Sequence, residues 1–437
     1  MNGEPMLCAQ IRQGMLRGGK GPFGTLFAGI PYAAPPVGKR RFAPPAPPLP
    51  WEGERDASHF GSRCPQMDQN DFYRKEFYSD PAYETAESED ALLLNVWTPA
   101  ARPGENLPVA LWIHGGAFFN GYGHEKEFDG QAYCRRGVLL VTCNYRLGAL
   151  GFLVHPWLQK EQGGAAGNYG LLDQLAALDW VRENIRAFGG DPGRITIMGQ
   201  SAGAMSVQTL VLAAQTQGKI AGAVLQSGGG LQNGLTADRT QEEACRAGEA
   251  FVKQCGADSL DALRELPVSV MRGASRAVIK QEMESGHGLA FLPVIDHRLL
   301  TDTYEALAQA GRFCRVPYLI GSNAQDIGVG ASDTENLYAA STRWALLTER
   351  FGCPSYVYRF ARPAPGDEAG AFHSAELWYM FGTLDRCWRP FTAQDRALSE
   401  RMLDCWANFI KEGAPCGKTD APWQPYTEKT PDCMQFA

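Results

Sequence analysis

A serine with glycine two residues away on either side occurs at Gly199-Gln200-Ser201-Ala202-Gly203. This spacing suits a nucleophile on a tight strand-to-helix turn, because small flanking residues let neighbouring backbone approach a strained, exposed serine. The apolar run ITIM precedes it as a short strand, and AMSVQTLVLAA follows with helical periodicity. Upstream, His114-Gly115-Gly116-Ala117-Phe118 follows the strand-like run PVALWI. A glycine-rich loop in that place offers backbone N–H groups to a developing oxyanion, and the N–H groups of Gly116, Ala117 and Ala202 are the expected donors. An activated serine also needs a histidine, and three histidines follow Ser201: His287, His297 and His373. His373 lies in the glycine-led loop GAFHSAELWYMFG. His297 directly follows Asp296, and adjacent residues on an extended chain point apart, so spacing favours His373. For the acid, Asp326 follows the strand-like VPYLIGS, at the end where open α/β sheets face their ligands. Asp333 and Glu335 remain competitors on spacing alone.

The elements that must position these residues alternate. PVALWIH and VLLVTCNYR read as buried strands, and Leu171 to Phe188 as an amphipathic helix stopped by Gly189, Gly190 and Pro192. ITIMG is a further strand, VPYLIGS and SYVYRF are later ones, and LSERMLDCWANFI is a closing helix. This alternation predicts an α/β fold of the α/β-hydrolase type: a mostly parallel sheet with helices on both faces. Pro and Gly crowd the first fifty residues, which reads as short strands and extended turns. A single domain over residues 1–437 is expected, with irregular excursions at residues 64–90 and 235–315.

Composition removes other classes. The 437-residue chain has a formal net charge of −7, against the basic excess of a nucleic-acid binder. No apolar run approaches the length of a membrane span, and MNGEPMLCAQIRQG lacks the basic head and apolar core of a secretory signal. Gly19, Gly21 and Gly24 fit a dinucleotide-binding spacing, but Pro22 interrupts it and no helix pattern follows. The twelve cysteines include no C-x-x-C pair and are expected to be reduced, buried hydrophobes. The aromatics Phe118, Phe119, Tyr122, Phe291, Trp378 and Tyr379 suggest an apolar cleft.

Together FAGIPYAAPPVGKRRFAPP, SEDALLLNVWTP, LWIHGGAFFNG, VTCNYRLGALGFL, GQSAGAMS, FLPVID and GAFHSAELWYMFG resemble the type-B carboxylesterases, the family that includes para-nitrobenzyl esterases and cholinesterases. The resemblance implies Ser201 as nucleophile, His373 as base, Asp326 as acid and the same three oxyanion donors. It also implies Ser227 as a support for the acid, and Leu289 and Phe291 beside the acyl group. Phe118 and Phe119 complete the expected substrate-binding set. The family acid is usually Glu; Asp is one methylene shorter. The family's two disulfides are broken here, because the partner positions of Cys64 and Cys255 are Ala91 and Ala262, which suits a reducing cytoplasm. The implied activity is hydrolysis of small-molecule carboxylic esters, needing no metal or organic cofactor. An amidase, a thioesterase, a sugar-ester deacetylase or a non-catalytic binding protein could use the same scaffold.

Overall fold

The computed structural model describes residues 4–236, 238–328, 335–415 and 423–437. Among them, twelve strands form one sheet. In chain order these are β1 (Cys8–Ile11), β2 (Gly14–Lys20), β3 (Thr25–Pro31), β4 (Glu54–Ala57), β5 (Leu93–Thr98) and β6 (Leu107–Ile113), then β7 (Leu139–Cys143), β8 (Gly190–Gln200), β9 (Gly222–Gln226), β10 (Tyr318–Asn323), β11 (Ser355–Phe360) and β12 (Cys433–Phe436). The spatial order is β1-β2-β3-β5-β7-β6-β8-β9-β10-β11-β12, with β4 beside β2. From β7 to β12 every pairing is parallel, whereas β1, β2, β3, β5 and β7 pair antiparallel. This is the expected α/β-hydrolase architecture.

The parallel strands are apolar on both faces, as strands covered by helices on two sides require. Successive side chains point to opposite faces, so Leu111, Ile197, Leu225 and Ile320 enter one core while Trp112, Met198, Val224 and Leu319 enter the other. The first core is closed by helices Tyr169–Asn184, Ala202–Leu212 and Asn336–Glu349, through side chains such as Leu178, Leu210 and Trp344. The second is closed by Ala393–Glu412, through Met402, Trp406 and Phe409.

Register carries the fold to the site. Ile113 lies opposite Gly199, Gln200 opposite Gln226, Gln226 opposite Gly321, and Asn323 opposite Phe360. The loops after β6, β8, β9, β10 and β11 therefore leave the sheet side by side at its carboxyl edge, the usual place for a ligand in an open α/β sheet.

One expectation needs correction. The segment 235–315 is largely helical rather than irregular: it contains Gln241–Cys255, Leu260–Glu265, Val268–Glu284 and Tyr304–Gln309. The first of these starts in a capping box, with Thr240 and Glu243 satisfying each other's backbone N–H groups. Its buried face recurs at helical spacing through Ala244, Ala247, Gly248, Phe251, Val252 and Cys255. The segment 64–90 does keep an extended course, apart from one short helix, Asp71–Phe77, capped by Asn70.

Candidate active site

Ser201 directly follows β8 with φ 55° and ψ −126°, a strained backbone for a residue with a side chain. Its N–H donates to the Gln226 carbonyl at 2.9 Å, which ties the turn to β9. The flanking glycines are needed for close approach. A Cβ on Gly203 would fall 2.0 Å from the Ile113 carbonyl oxygen, and one on Gly199 would fall 2.4 Å from the Gly203 carbonyl carbon. Ala202 begins the following helix, where an N–H has no intrahelical acceptor and is free for a ligand.

The loop after β6 turns through Gly116, Ala117 and Phe118, all with positive φ. The Gly116 carbonyl accepts from the N–H groups of Phe119 and Asn120 at 2.9 and 3.0 Å, so this turn is closed on itself. Behind it His114 stacks on Tyr145, their ring centroids 4.3 Å apart, while the Tyr145 hydroxyl donates to the His114 carbonyl at 3.0 Å. Burial pushes the His114 imidazole down to about 4, so at neutral pH it is an uncharged brace.

Across the cleft, Asp326 Oδ1 lies 2.5 Å from His373 Nδ1. The same carboxylate accepts from the Asn323 N–H at 2.8 Å and the Ile327 N–H at 2.9 Å. Burial alone would raise this carboxyl. His373, the otherwise unpartnered Ser227 hydroxyl and the Asn323 N–H outweigh it and hold Asp326 below its ordinary range. The short acid reaches the ring because its loop is lashed to the histidine loop. The Gln325 N–H donates to the Ala371 carbonyl at 3.1 Å, and the Ala371 N–H returns a bond to Gln325 Oε1 at 2.7 Å. On the other side of the ring, the Gln200 side-chain amide meets His373 Nε2 at 3.2 Å.

Glu376, which the sequence reading did not single out, is fully buried behind this pair. Its carboxyl accepts from the amides of Asn323 at 2.6 Å and Gln226 at 3.3 Å. Burial, reinforced by the charge of Asp326, pushes it up to about 7. The available signal was its place three residues after His373, a lone acid inside an otherwise apolar stretch.

These groups open onto one cavity of about 220 Å³, whose walls include Gly116, Ala117, Ser201 and His373, with Tyr73 and Phe77 opposite. The rival acids lie elsewhere. Glu335 pairs with Arg359, and Asp296 accepts the N–H groups of Arg298, Leu299 and Leu300 in a local turn. Asp333 lies outside the described residues. His297 is exposed against the Thr301 carbonyl, and His287 sits 3.5 Å from Glu282.

Several expected cleft aromatics are core residues instead. Phe118 is fully buried edge-on against Phe152, because its left-handed backbone swings the ring away from the loop tip; it supports the loop from behind. Phe119 lines a separate small apolar pocket with Leu147 and Met271. Phe291 packs on Phe251, and Leu289 is half-buried against the larger core. Tyr122, Trp378 and Tyr379 are buried too; Tyr379 donates to Asp395. The eleven described cysteines are free thiols, and Cys64 and Cys255 are buried. No helix among the described residues is long and apolar enough to cross a membrane.

Comparison with known proteins places the chain in a family. The sequence matches the carboxylesterase family over residues 6–344 and 330–437. It is 37% identical to the fumonisin B1 esterase of Sphingopyxis macrogoltabida, over 99% of this chain and 87% of that protein. It is 33% identical to the para-nitrobenzyl esterase of Bacillus subtilis (strain 168), over 93% of this chain and 90% of that one. A solved PNB esterase structure superposes with a TM-score of 0.85 at 31% identity, covering 98% of this chain and 95% of its own.

Proposed function

The chain belongs to the carboxylesterase family and is a carboxylic-ester hydrolase; from that premise we propose that Ser201, His373 and Asp326 carry out the hydrolysis by two-step acyl transfer. His373 takes the Ser201 proton as the hydroxyl oxygen attacks the ester carbonyl. The N–H groups of Gly116, Ala117 and Ala202 hold the oxyanion, each contributing on the order of 3 kcal/mol in the transition state. The C–O bond to the alcohol breaks and His373 gives its proton to the leaving oxygen. Water, deprotonated by the same histidine, then attacks the acyl-enzyme; the acyl–Oγ bond breaks, the acid is freed and His373 returns the proton to Ser201. Asp326 keeps the proton on Nδ1 of the resting imidazole and stabilises the imidazolium. In the resting site Nε2 meets Gln200, so substrate entry must exchange that contact for the Ser201 hydroxyl.

The observation that carries this reading is the Asp326–His373 bond at the wall of the cavity that Ser201 faces. Its test is labelling with a fluorophosphonate followed by peptide mass spectrometry. Modification of Ser201 alone is expected, and modification of a different serine overturns the assignment. We also place the protein in the cytoplasm, since the family resemblance sets Ala91 and Ala262 at the positions where bridges from Cys64 and Cys255 would need cysteines; one catalytic domain over the whole chain is part of the same proposal. Thiol titration in denaturant without reductant should then count all twelve cysteines.

A further inference from the structure

The same cavity has a polar wall that the acyl-transfer chemistry does not use. Directly after the oxyanion loop, residues 121–128 run along the cavity, and Glu125 and Glu127 both line it together with Asn120. The two glutamates are almost completely buried, at 5% and 1% exposure. Glu125 is fully engaged: Oε1 accepts from the Tyr122 N–H and the Tyr78 hydroxyl, both at 2.9 Å, and its carboxyl also hydrogen-bonds Glu127. Glu127 is hydrogen-bonded to Glu125, but its Oε2 meets no N–H or hydroxyl donor, and neither does Asn120 Oδ1. Phe77, Phe128 and Leu377 line the rest of this region. Buried polar atoms in folded proteins are normally satisfied. Here two acceptors among residues lining one cavity lack an N–H or hydroxyl donor.

The charge of this wall decides which donors fit. Two buried carboxyls in contact do not both ionise, so they share a proton. Burial raises both, and the neighbouring Glu125 raises Glu127 further. The negative charge left on the pair is opposed by Lys126 beside Glu127 and Arg63 beside Glu125. Lys126 itself donates to Ser79 Oγ at 2.9 Å and lies 5.5 Å from the Trp378 ring. The wall thus offers hydrogen-bond acceptors, and a shared carboxyl proton, without a strong net field. That combination suits neutral hydroxyl groups better than an ammonium or a carboxylate. His373, Ser374 and Leu377 border the same space, which puts it on the side from which the leaving alcohol is protonated.

We propose that Glu127, backed by Glu125 and joined by Asn120, is a subsite for the alcohol portion of the ester and selects a neutral alcohol that carries additional free hydroxyl groups. This rests on the Ser201–His373 mechanism above, since that mechanism defines the alcohol side. The test fixes the acyl chain at the length turned over fastest as a 4-nitrophenyl ester. It then compares kcat/KM for the 2,3-dihydroxypropyl, propyl and 2-(trimethylammonio)ethyl esters of that acid. The wild-type enzyme is expected to prefer the dihydroxypropyl ester over both others by about tenfold or more, as a site built to hydrogen-bond a hydroxyl discriminates strongly against its loss. Glu127→Leu should bring the dihydroxypropyl-to-propyl ratio close to one while propyl ester turnover stays within about threefold. Glu127→Gln, which keeps an acceptor, should restore part of the ratio. Absence of a wild-type preference, a preference for the ammonium ester, or a proportional loss on both neutral esters in Glu127→Leu overturns the subsite. The wild-type comparison stands even if the leucine variant does not fold. If the enzyme turns over no 4-nitrophenyl ester at all, the hydrolase mechanism fails, and the subsite falls with it.

Discussion

The cavity has two walls of different construction. On the sheet side, Ser201, Gly116 and Ala117 line the cavity on loops that leave the strand ends, and Asp326 bonds the lining His373; these positions are fixed by backbone hydrogen bonds and register. The facing wall is the helix Asp71–Phe77, which is hung on side chains distant in sequence. Glu76 makes a fully buried ion pair with Arg389, at 2.7 and 3.0 Å. Phe77 stacks on Trp378 with centroids 5.3 Å apart, and Phe72 meets Phe372 edge-on at 5.0 Å. The first wall tolerates almost no change, since its geometry resides in the main chain. The second rests on side-chain contacts that reach across the sequence.

The sharpest way to break that comparison is on the sheet wall. Ser201→Ala should lower kcat/KM on a 4-nitrophenyl ester by about 10⁴-fold or more, with an unchanged circular dichroism spectrum. Asp326→Asn should lower kcat by about 10⁴-fold, because an amide in that place holds the wrong imidazole tautomer. If Asp326→Asn costs less than tenfold, the sheet wall is less demanding than its geometry implies.

On the facing wall, Glu76→Ala leaves the Arg389 guanidinium buried with Asp367 as its remaining carboxylate partner. Removing one member of a buried pair costs about 3–5 kcal/mol. The expectation is a lower denaturant midpoint and a raised KM, with kcat changed much less than in the serine or aspartate variants. An equal loss of kcat would show that the two walls are mechanically coupled.

The smallest effect concerns Glu376, which lies behind the sheet wall. Its carboxyl is raised from an ordinary value of 4.5 to about 7, so the fold favours the protonated form. Its contribution is fully present below pH 4.5 and is lost as pH rises toward 7, where the unfolded chain ionises first. Relative to Glu376→Gln, the wild-type protein should therefore lose up to about 3 kcal/mol of stability between pH 4.5 and 7. Denaturant titrations of both proteins at pH 5 and pH 8 measure this, and a constant gap refutes it.

The two walls also differ in how legible they were. Ser201 and the Gly115–Ala117 loop follow from short motifs, because a main-chain geometry leaves its trace in neighbouring residues. Asp326 was ambiguous beside Asp333 and Glu335. The register of β9, β10 and β11, and the lashing of Gln325 to Ala371, bring Asp326 to His373. The Glu76–Arg389 pair spans 313 positions, and no local pattern announces it. Phe118 illustrates a different limit. Its position beside the motif suggested contact with substrate, but a positive φ turned the ring inward. The helix Gln241–Cys255 passed for irregular chain although Ala244, Ala247, Gly248, Phe251, Val252 and Cys255 recur every three or four positions and Thr240 caps it.

The last strand has a consequence for how the protein comes into being. β12 pairs with β11, and the Phe436 carbonyl accepts from the N–H groups of Ala361 and Arg362, at the start of the segment that leads to His373. During synthesis the serine turn can form long before these residues are made, since β6, β8 and β9 all precede them. The histidine loop cannot take its final anchorage until residues 433–436 have left the ribosome. A nascent chain thus forms the Ser201 turn early and anchors the His373 loop late, after β12 has emerged.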